Sequence, residues 1–315
     1  MSCKLPNDFR ELLTKCYEEA LLNKHILFNG DQAVHTRLDD TIGNTKMPIQ
    51  LTLLTSLMHK PEKGERHSNP FEKPEPELTI IDNFGPLREF KIIFNKFPVV
   101  PLHFMMITKE FKSQNTPLDE NELNCTHRIL QKLKGSADDK WFAFYNCGTQ
   151  SGASQAHKHI QFMTLPKDFS PFVEDVALKS PSFLPNNQEK PLQNKELPFS
   201  HYIGRLPSED KSLLEDDLSS YYVSLLQRTI STLKHFNANN VSYNFIMTTE
   251  YMMMVPRSTG KYNDLLGINS CGYAGLFLCK NQDTFNIVNE DHPTQILKAC
   301  GYPRLDKEET MEYDY

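Results

Sequence analysis

Apolar residues recur at helical spacing near the start of the chain. Phe9, Leu12, Leu13, Cys16, Tyr17 and Ala20 fall on one face, which predicts a helix over residues 7 to 23 that Asn7 can cap. Leu51 to Leu57 is β-compatible, and the polar stretch from His59 to Glu77 that follows carries four prolines and reads as an ordered loop or lid. Strand-like runs then come close together at Leu78–Ile81, Glu89–Phe94, Phe104–Thr108 and Trp141–Asn146. Between the last two lies a predicted helix with Thr116 as its cap, Pro117 at its first position and Asp119 and Glu120 in its first turn. Residues 180 to 198 turn polar and proline-containing, a candidate boundary or excursion. Beyond it the pattern predicts a long helix over Leu213–Phe236 and strands at Ser242–Met247, Met252–Val255 and Leu276–Cys279. A last helix runs from Pro293 to Gly301, with Pro303 after it. Strands that cluster with few helices between them favour an α+β fold with a largely antiparallel sheet over a doubly wound parallel one.

Composition narrows the partners. Thirty-four basic side chains against forty acidic ones give a net charge of −6, which argues against nucleic acid, whose binders carry a basic surface. A small anionic ligand would have to be met by locally focused donors. No apolar run approaches the roughly 20 residues needed to cross a bilayer, and the first residues are amphipathic rather than continuously apolar, so neither a membrane partner nor a secretory leader is expected. Seven cysteines without a C-x-x-C pair point to a reduced protein, expected in the cytoplasm and compatible with the nucleus, with no disulfide framework and no cysteine zinc site.

The candidate chemistry sits between Phe144 and Met163, which reads as strand, small-residue loop, strand. Side chains alternate along an extended chain, so His157, His159 and Gln161 share one face and Lys158, Ile160 and Phe162 the other. A largely neutral imidazole can attack phosphorus. The loop N–H groups and the Ser151 and Ser154 hydroxyls can meet the charge that builds on the phosphoryl oxygens. Three blander readings stay open. The histidines can be structural residues of a half-buried strand. They can ligate a metal with help from His103, His127 or His201. The Gly152-Ala153-Ser154 run can be a plain turn.

His157-Lys158-His159-Ile160-Gln161, preceded by Ser151-Gly152-Ala153-Ser154-Gln155, resembles the nucleophile strand of the histidine-triad superfamily. Gln161 stands where the hydrolase branch has a third histidine, and the glutamine form is shared by galactose-1-phosphate uridylyltransferases and diadenosine tetraphosphate phosphorylases. The segments Ser56–Gly64, Asn95–Pro101, Val255–Ser258 and Asn269–Gly275 resemble the phosphorylases. The likeness runs nearly end to end, including the acidic, tyrosine-bearing tail. By this resemblance the chain is similar to the diadenosine tetraphosphate phosphorylase (ATP adenylyltransferase) family.

That resemblance implies a histidine-triad-like α+β fold. Residues 1–170 would carry the nucleophile strand and residues 171–315 would complete the nucleotide site. It implies that His159 attacks the α-phosphorus of one adenylate and holds AMP while ATP departs, and that inorganic phosphate then removes the AMP as ADP. His157 matches a flanking, orienting histidine and Gln161 a residue that hydrogen-bonds the transferred phosphate. Substrate contacts are implied for Lys60, Asn95, Lys96, Asn146, the loop of Ser151, Gly152, Ala153, Ser154 and Gln155, then Asn269, Ser270, Cys271 and Lys280. Cys147, Thr149 and Gln150 are left unassigned. A divalent cation, Mg or Mn, is expected to arrive with the polyphosphate rather than in a fixed protein site. The expected partners are diadenosine tetraphosphate, ATP, ADP and phosphate, with sulfate as a further acceptor, acting on a monomer. The competing readings are a sugar-phosphate uridylyltransferase-like enzyme, a nucleotide-binding sensor without turnover, and a metalloenzyme.

Overall fold

The computed structural model describes residues 4–28, 33–54, 69–134, 139–180, 191–207 and 215–305. In chain order the helices are α1 (Phe9–Leu22), α2 (Glu120–Leu133), α3 (Phe172–Leu178), α4 (Glu215–His235), α5 (Ser270–Tyr273), α6 (Gln282–Asp291) and α7 (Pro293–Cys300). The strands are β1 (Val34–Ile42), β2 (Thr45–Leu53), β3 (Thr79–Phe84), β4 (Phe90–Phe94), β5 (Phe104–Thr108), β6 (Trp141–Cys147) and β7 (His159–Thr164). They continue with β8 (Tyr202–Arg205), β9 (Tyr243–Met247), β10 (Tyr251–Pro256), β11 (Lys261–Tyr262), β12 (Leu266–Gly267) and β13 (Leu276–Cys279).

Eight strands form one sheet in the order β3-β4-β5-β7-β6-β9-β10-β8, and every neighbouring pair is antiparallel. The central strands bury both faces. On β6, Trp141, Ala143, Tyr145 and Cys147 enter the core beneath α1, α2 and α4, while Phe142 and Phe144 enter a second core with α3, α5 and α7. β10 divides in the same way, Met252 and Met254 against Tyr251, Met253 and Val255. A strand covered twice reads as an unbroken apolar run, which is why these strands stand out in the sequence. The smaller sheet, β1-β2-β13, pairs β13 parallel to β2 and lies over the second core. The strongly antiparallel α+β architecture agrees with the sequence reading.

Several local expectations are corrected. α2 starts three residues beyond the predicted position: Asp119, not Thr116, is its cap, in a reciprocal capping box with Glu122. Thr116 is instead in the preceding turn, where its hydroxyl donates to the Ser113 carbonyl. α1 begins at Phe9 after Asp8, with no side-chain cap, so Asn7 does not serve. β2 spans Thr45–Leu53 and so begins six residues before the predicted run Leu51–Leu57, of which residues 55–57 lie outside the described residues. β1 was not anticipated. It is an edge strand with six of its nine residues exposed, so no apolar alternation marks it. The β7 ladder begins at His159, and His157 forms an isolated bridge with Ser113.

Candidate active site

The site is assembled around β7, held between β5 and β6 with Ile107 opposite His159 and Met105 and Phe144 opposite Gln161. Lys158, Ile160 and Phe162 turn to the helical core. Gln161 faces a cavity of about 610 Å³ on the other side, a size suited to a nucleotide. The cavity wall also includes Asn95, His103, Gly152, Gly260, Asn269 and Lys280.

His159 is buried and anchored at three atoms. Its N–H donates to Gln114 Oε1 at 2.8 Å, and its carbonyl accepts from Gln114 Nε2 at 3.3 Å. Its Nδ1 lies 2.8 Å from the His157 carbonyl. A carbonyl can only accept, so Nδ1 carries the proton and the ring lone pair is on Nε2. Gln114 also donates to the Asn146 carbonyl at 2.9 Å, tying β7 to β6.

His157 uses both ring nitrogens. Nε2 donates to the Thr108 carbonyl at 2.7 Å, and Nδ1 accepts from Asn69 Nδ2 at 2.8 Å. Burial lowers its pKa, against the pull of hydrogen bonds to the Thr108 and Glu110 backbone and of the Glu72 charge. The Asn69 amide N–H can only donate, so Nδ1 carries a lone pair and the ring is held as the neutral tautomer. Phe71 packs against both imidazoles, with ring centroids 5.9 Å from His157 and 5.1 Å from His159. His157 is thereby a positioning group whose own carbonyl sets the His159 tautomer.

Gln161 Oε1 accepts from His103 Nε2 at 3.2 Å, which leaves the Gln161 amide N–H groups to donate. His103 in turn meets Asn95 Nδ2 at 3.4 Å. The loop before the histidines passes close to its neighbours. Gly152 has φ +80°, and a Cβ there would lie 2.4 Å from the Ile268 carbonyl oxygen, so only glycine fits.

The family assignment rests on comparison of the whole chain. Residues 32–179 match the model of the Ap4A phosphorylase N-terminal domain and residues 195–303 that of the ATP adenylyltransferase C-terminal domain. The chain belongs to this Ap4A phosphorylase family. It is 33% identical to Protein APA1 of Saccharomyces cerevisiae over 99% of both chains. It is 34% identical to diadenosine 5',5'''-P1,P4-tetraphosphate phosphorylase 2 of the same yeast, over 84% of this chain and 87% of the relative. The crystal structure of yeast Ap4A phosphorylase Apa2 in complex with Ap4A superposes with a TM-score of 0.84 at 32% identity, covering 96% of this chain and all of that one.

The structure divides the residues that the resemblance implied into groups. Asn95, Gly152, Ala153, Ser154, Gln161, Asn269, Cys271 and Lys280 border the cavity. Asn146, Ser151 and Ser270 are buried behind it. The Ser151 hydroxyl donates to the Gly148 carbonyl at 2.6 Å, so it is not turned to a ligand as the loop reading expected. Asn146 Oδ1 accepts from Asn244 Nδ2 at 2.8 Å and from the Ser270 hydroxyl at 2.7 Å. Lys96 pairs with Glu75 at 2.5 Å and is not among the cavity residues. The Gln155 amide nitrogen is buried with no hydrogen-bond partner among the described residues. Lys60 lies outside the described residues.

Cys271 borders the cavity, but burial pushes its thiol up to about 12, which removes it as a nucleophile. Among the described residues no cluster of three His, Cys, Asp or Glu side chains is placed to hold a metal. Of the three histidines considered as extra ligands, His127 is buried on α2 and His103 joins the Gln161 network. His201 spends Nδ1 on the Phe199 carbonyl and Nε2 on the Asn194 N–H, and burial pushes its pKa down to about 4. Sequence reading missed Gln114, Asn244 and the structural role of Arg257. Arg257 lies in a segment that carried the resemblance, whereas Gln114 comes from a polar stretch and Asn244 is one polar residue inside an otherwise apolar strand.

Proposed function

We propose that this enzyme cleaves diadenosine tetraphosphate by phosphorolysis through an AMP adduct on His159. Membership of the Ap4A phosphorylase family supports the reaction class. The observation that carries the chemistry is the Nδ1–H bond to the His157 carbonyl, which commits the lone pair of His159 to Nε2. Nε2 attacks the α-phosphorus of one adenylate, the P–O bond to the remaining triphosphate breaks, and ATP leaves. Inorganic phosphate then attacks the same phosphorus from solution, the P–N bond breaks, and ADP leaves with the ring restored. An ATP leaving group is already stabilised by charge delocalisation and needs no general acid. An amide at position 161 that donates to the phosphoryl oxygens without trading protons therefore suffices.

The remaining roles follow the same geometry. Asn95 and His103 hold the Gln161 amide, Lys280 borders the cavity that receives the polyanion, and a Mg or Mn ion enters with the polyphosphate. The working unit is a monomer in the cytoplasm. No helix among the described residues is long and apolar enough to cross a membrane.

The test is product analysis with and without phosphate. With phosphate, ATP and ADP form in equal amounts; without it, turnover stops after the first ATP. Steady release of AMP and ATP in phosphate-free buffer would make the enzyme a hydrolase. Tight binding with no product under either condition would make it a sensor.

A further inference from the structure

Arg257 is the largest fully buried side chain, 1% exposed. Its guanidinium makes five hydrogen bonds, and every acceptor is a neutral oxygen. Nε donates to the Cys300 carbonyl at 2.9 Å, and Nη1 to the Ser151 carbonyl at 3.2 Å and to Asn244 Oδ1. Nη2 donates to the Thr259 carbonyl at 2.6 Å and the Ile268 carbonyl at 2.9 Å. The guanidinium also lies over the Tyr273 ring, 5.1 Å from its centroid. A buried charge met only by dipoles and a ring face keeps an electrostatic demand for an anion.

Three of those acceptors share a further property. In a trans peptide the C=O and the following N–H point in opposite directions. The carbonyls of Ser151, Thr259 and Ile268 point at the guanidinium, so the N–H groups of Gly152, Gly260 and Asn269 point away from it. All three of those residues border the cavity. None of the three N–H groups donates to another described residue. The loops also touch: a Cβ on Gly260 would sit 3.4 Å from the Gly152 nitrogen, and one on Gly152 would collide with the Ile268 carbonyl. Two of the three donors are on glycine, where nothing covers the peptide.

We propose that Arg257 is a positioning residue that clamps these three loops so that the N–H groups of Gly152, Gly260 and Asn269 form one binding cluster for phosphate oxygens. The inference rests on the nucleotide reading above and deepens it. The ligand's negative charge answers the buried guanidinium through the aligned peptide dipoles, a concave arrangement of backbone donors of the kind that binds anions. An acidic protein can hold a polyanion in this way without a surface patch of lysines. The oxygens come either from the nucleotide's own phosphate or from the free phosphate that accepts AMP.

The experiment follows the three amide protons by NMR in the 15N-labelled full-length chain, titrated separately with adenosine, AMP and inorganic phosphate. AMP should move all three downfield and adenosine should not. If phosphate alone reproduces the shifts, the cluster takes the acceptor; if only AMP does, it takes the nucleotide's phosphate. Arg257→Lys keeps the charge but cannot hold five acceptors. It should weaken AMP about tenfold, the equivalent of one charge-assisted hydrogen bond, and leave adenosine within about twofold. Gly260→Ala, whose methyl makes only ordinary contacts, tests the same cluster without touching the buried charge, and should weaken AMP and phosphate but not adenosine. AMP binding with all three amides unmoved overturns the proposal and leaves the nucleotide reading standing. So does an equal loss of AMP and adenosine in both variants. Failure of the wild-type chain to bind either AMP or adenosine overturns both.

Discussion

The two faces of β7 solve opposite problems with polar groups. On the core face Lys158, 4% exposed, meets Glu122, 1% exposed, at 2.7 Å, donates to the Pro117 carbonyl at 2.7 Å and lies over the Tyr145 ring. Burial raises the Glu122 carboxyl above its usual range, against the pull of Lys158. That pair is answered within the protein and anchors the segment entering β7 to the start of α2. On the opposite face, where Gln161 but not His159 lines the cavity, each of these two side chains is oriented by a hydrogen bond to the protein. His159 gives Nδ1 to a carbonyl and keeps its lone pair on Nε2, and Gln161 gives Oε1 to His103 and keeps its N–H donors. Alternation along an extended segment thus separates the buried charge of Lys158 from the side chains of His159 and Gln161. On one face a buried ionic pair fixes position, and on the other single hydrogen bonds set the orientation of an imidazole and an amide.

Breaking the cavity face should have the largest effect on rate. His159→Ala removes the bond-forming atom and should lower kcat by several orders of magnitude with an unchanged melting curve. Steady-state assays beside thermal denaturation decide it, and retained turnover would displace His159 from its role. Breaking the core face should instead show in stability. Lys158→Ala leaves Glu122 buried without its partner and should cost about 3–5 kcal/mol, whereas the neutral pair Lys158→Met with Glu122→Gln should recover most of that. Urea denaturation of the single and double variants measures it; equal losses in both would mean that the charges themselves are not what holds the strand. The finest distinction is at Gln161. A histidine there can relay a proton from water, so Gln161→His should raise the AMP released per ADP formed while phosphorolysis falls. An unchanged ratio with a lower rate would confine Gln161 to positioning the phosphate.

These contrasts also show what was legible in the chain. The limits of β5 and β13 coincide with the predicted runs Phe104–Thr108 and Leu276–Cys279, because a strand apolar on both faces and bounded by polar residues is visible in sequence alone. β1 was hidden, since its residues face solvent and its place comes from pairing with β2. In sequence the start of α2 reads with Thr116 as its cap and Asp119 in its first turn. The reciprocal bond with Glu122 decides for Asp119, and this requires the backbone geometry. His157, His159 and Gln161 were readable because the strand itself sets their shared face. His103, Gln114, Asn244 and Arg257 act on the same site from positions far along the chain, brought there by sheet order. Asn146, Ser151 and Ser270 could be placed near the site by motif, but the structure shows that their polar atoms bond to one another and to Asn244 behind the cavity wall.

The central claim is that the reaction passes through an AMP bond to His159 Nε2, and one measurement meets it directly. The wild-type enzyme is mixed with substrate labelled in the α-phosphate in phosphate-free buffer, quenched and digested. One equivalent of label should be found on the peptide carrying His159, stable to base and labile to acid as a phosphoramidate is. Added phosphate should chase it quantitatively into ADP. Absence of label on that peptide under conditions where ATP is released, or label that phosphate does not remove, would contradict the account.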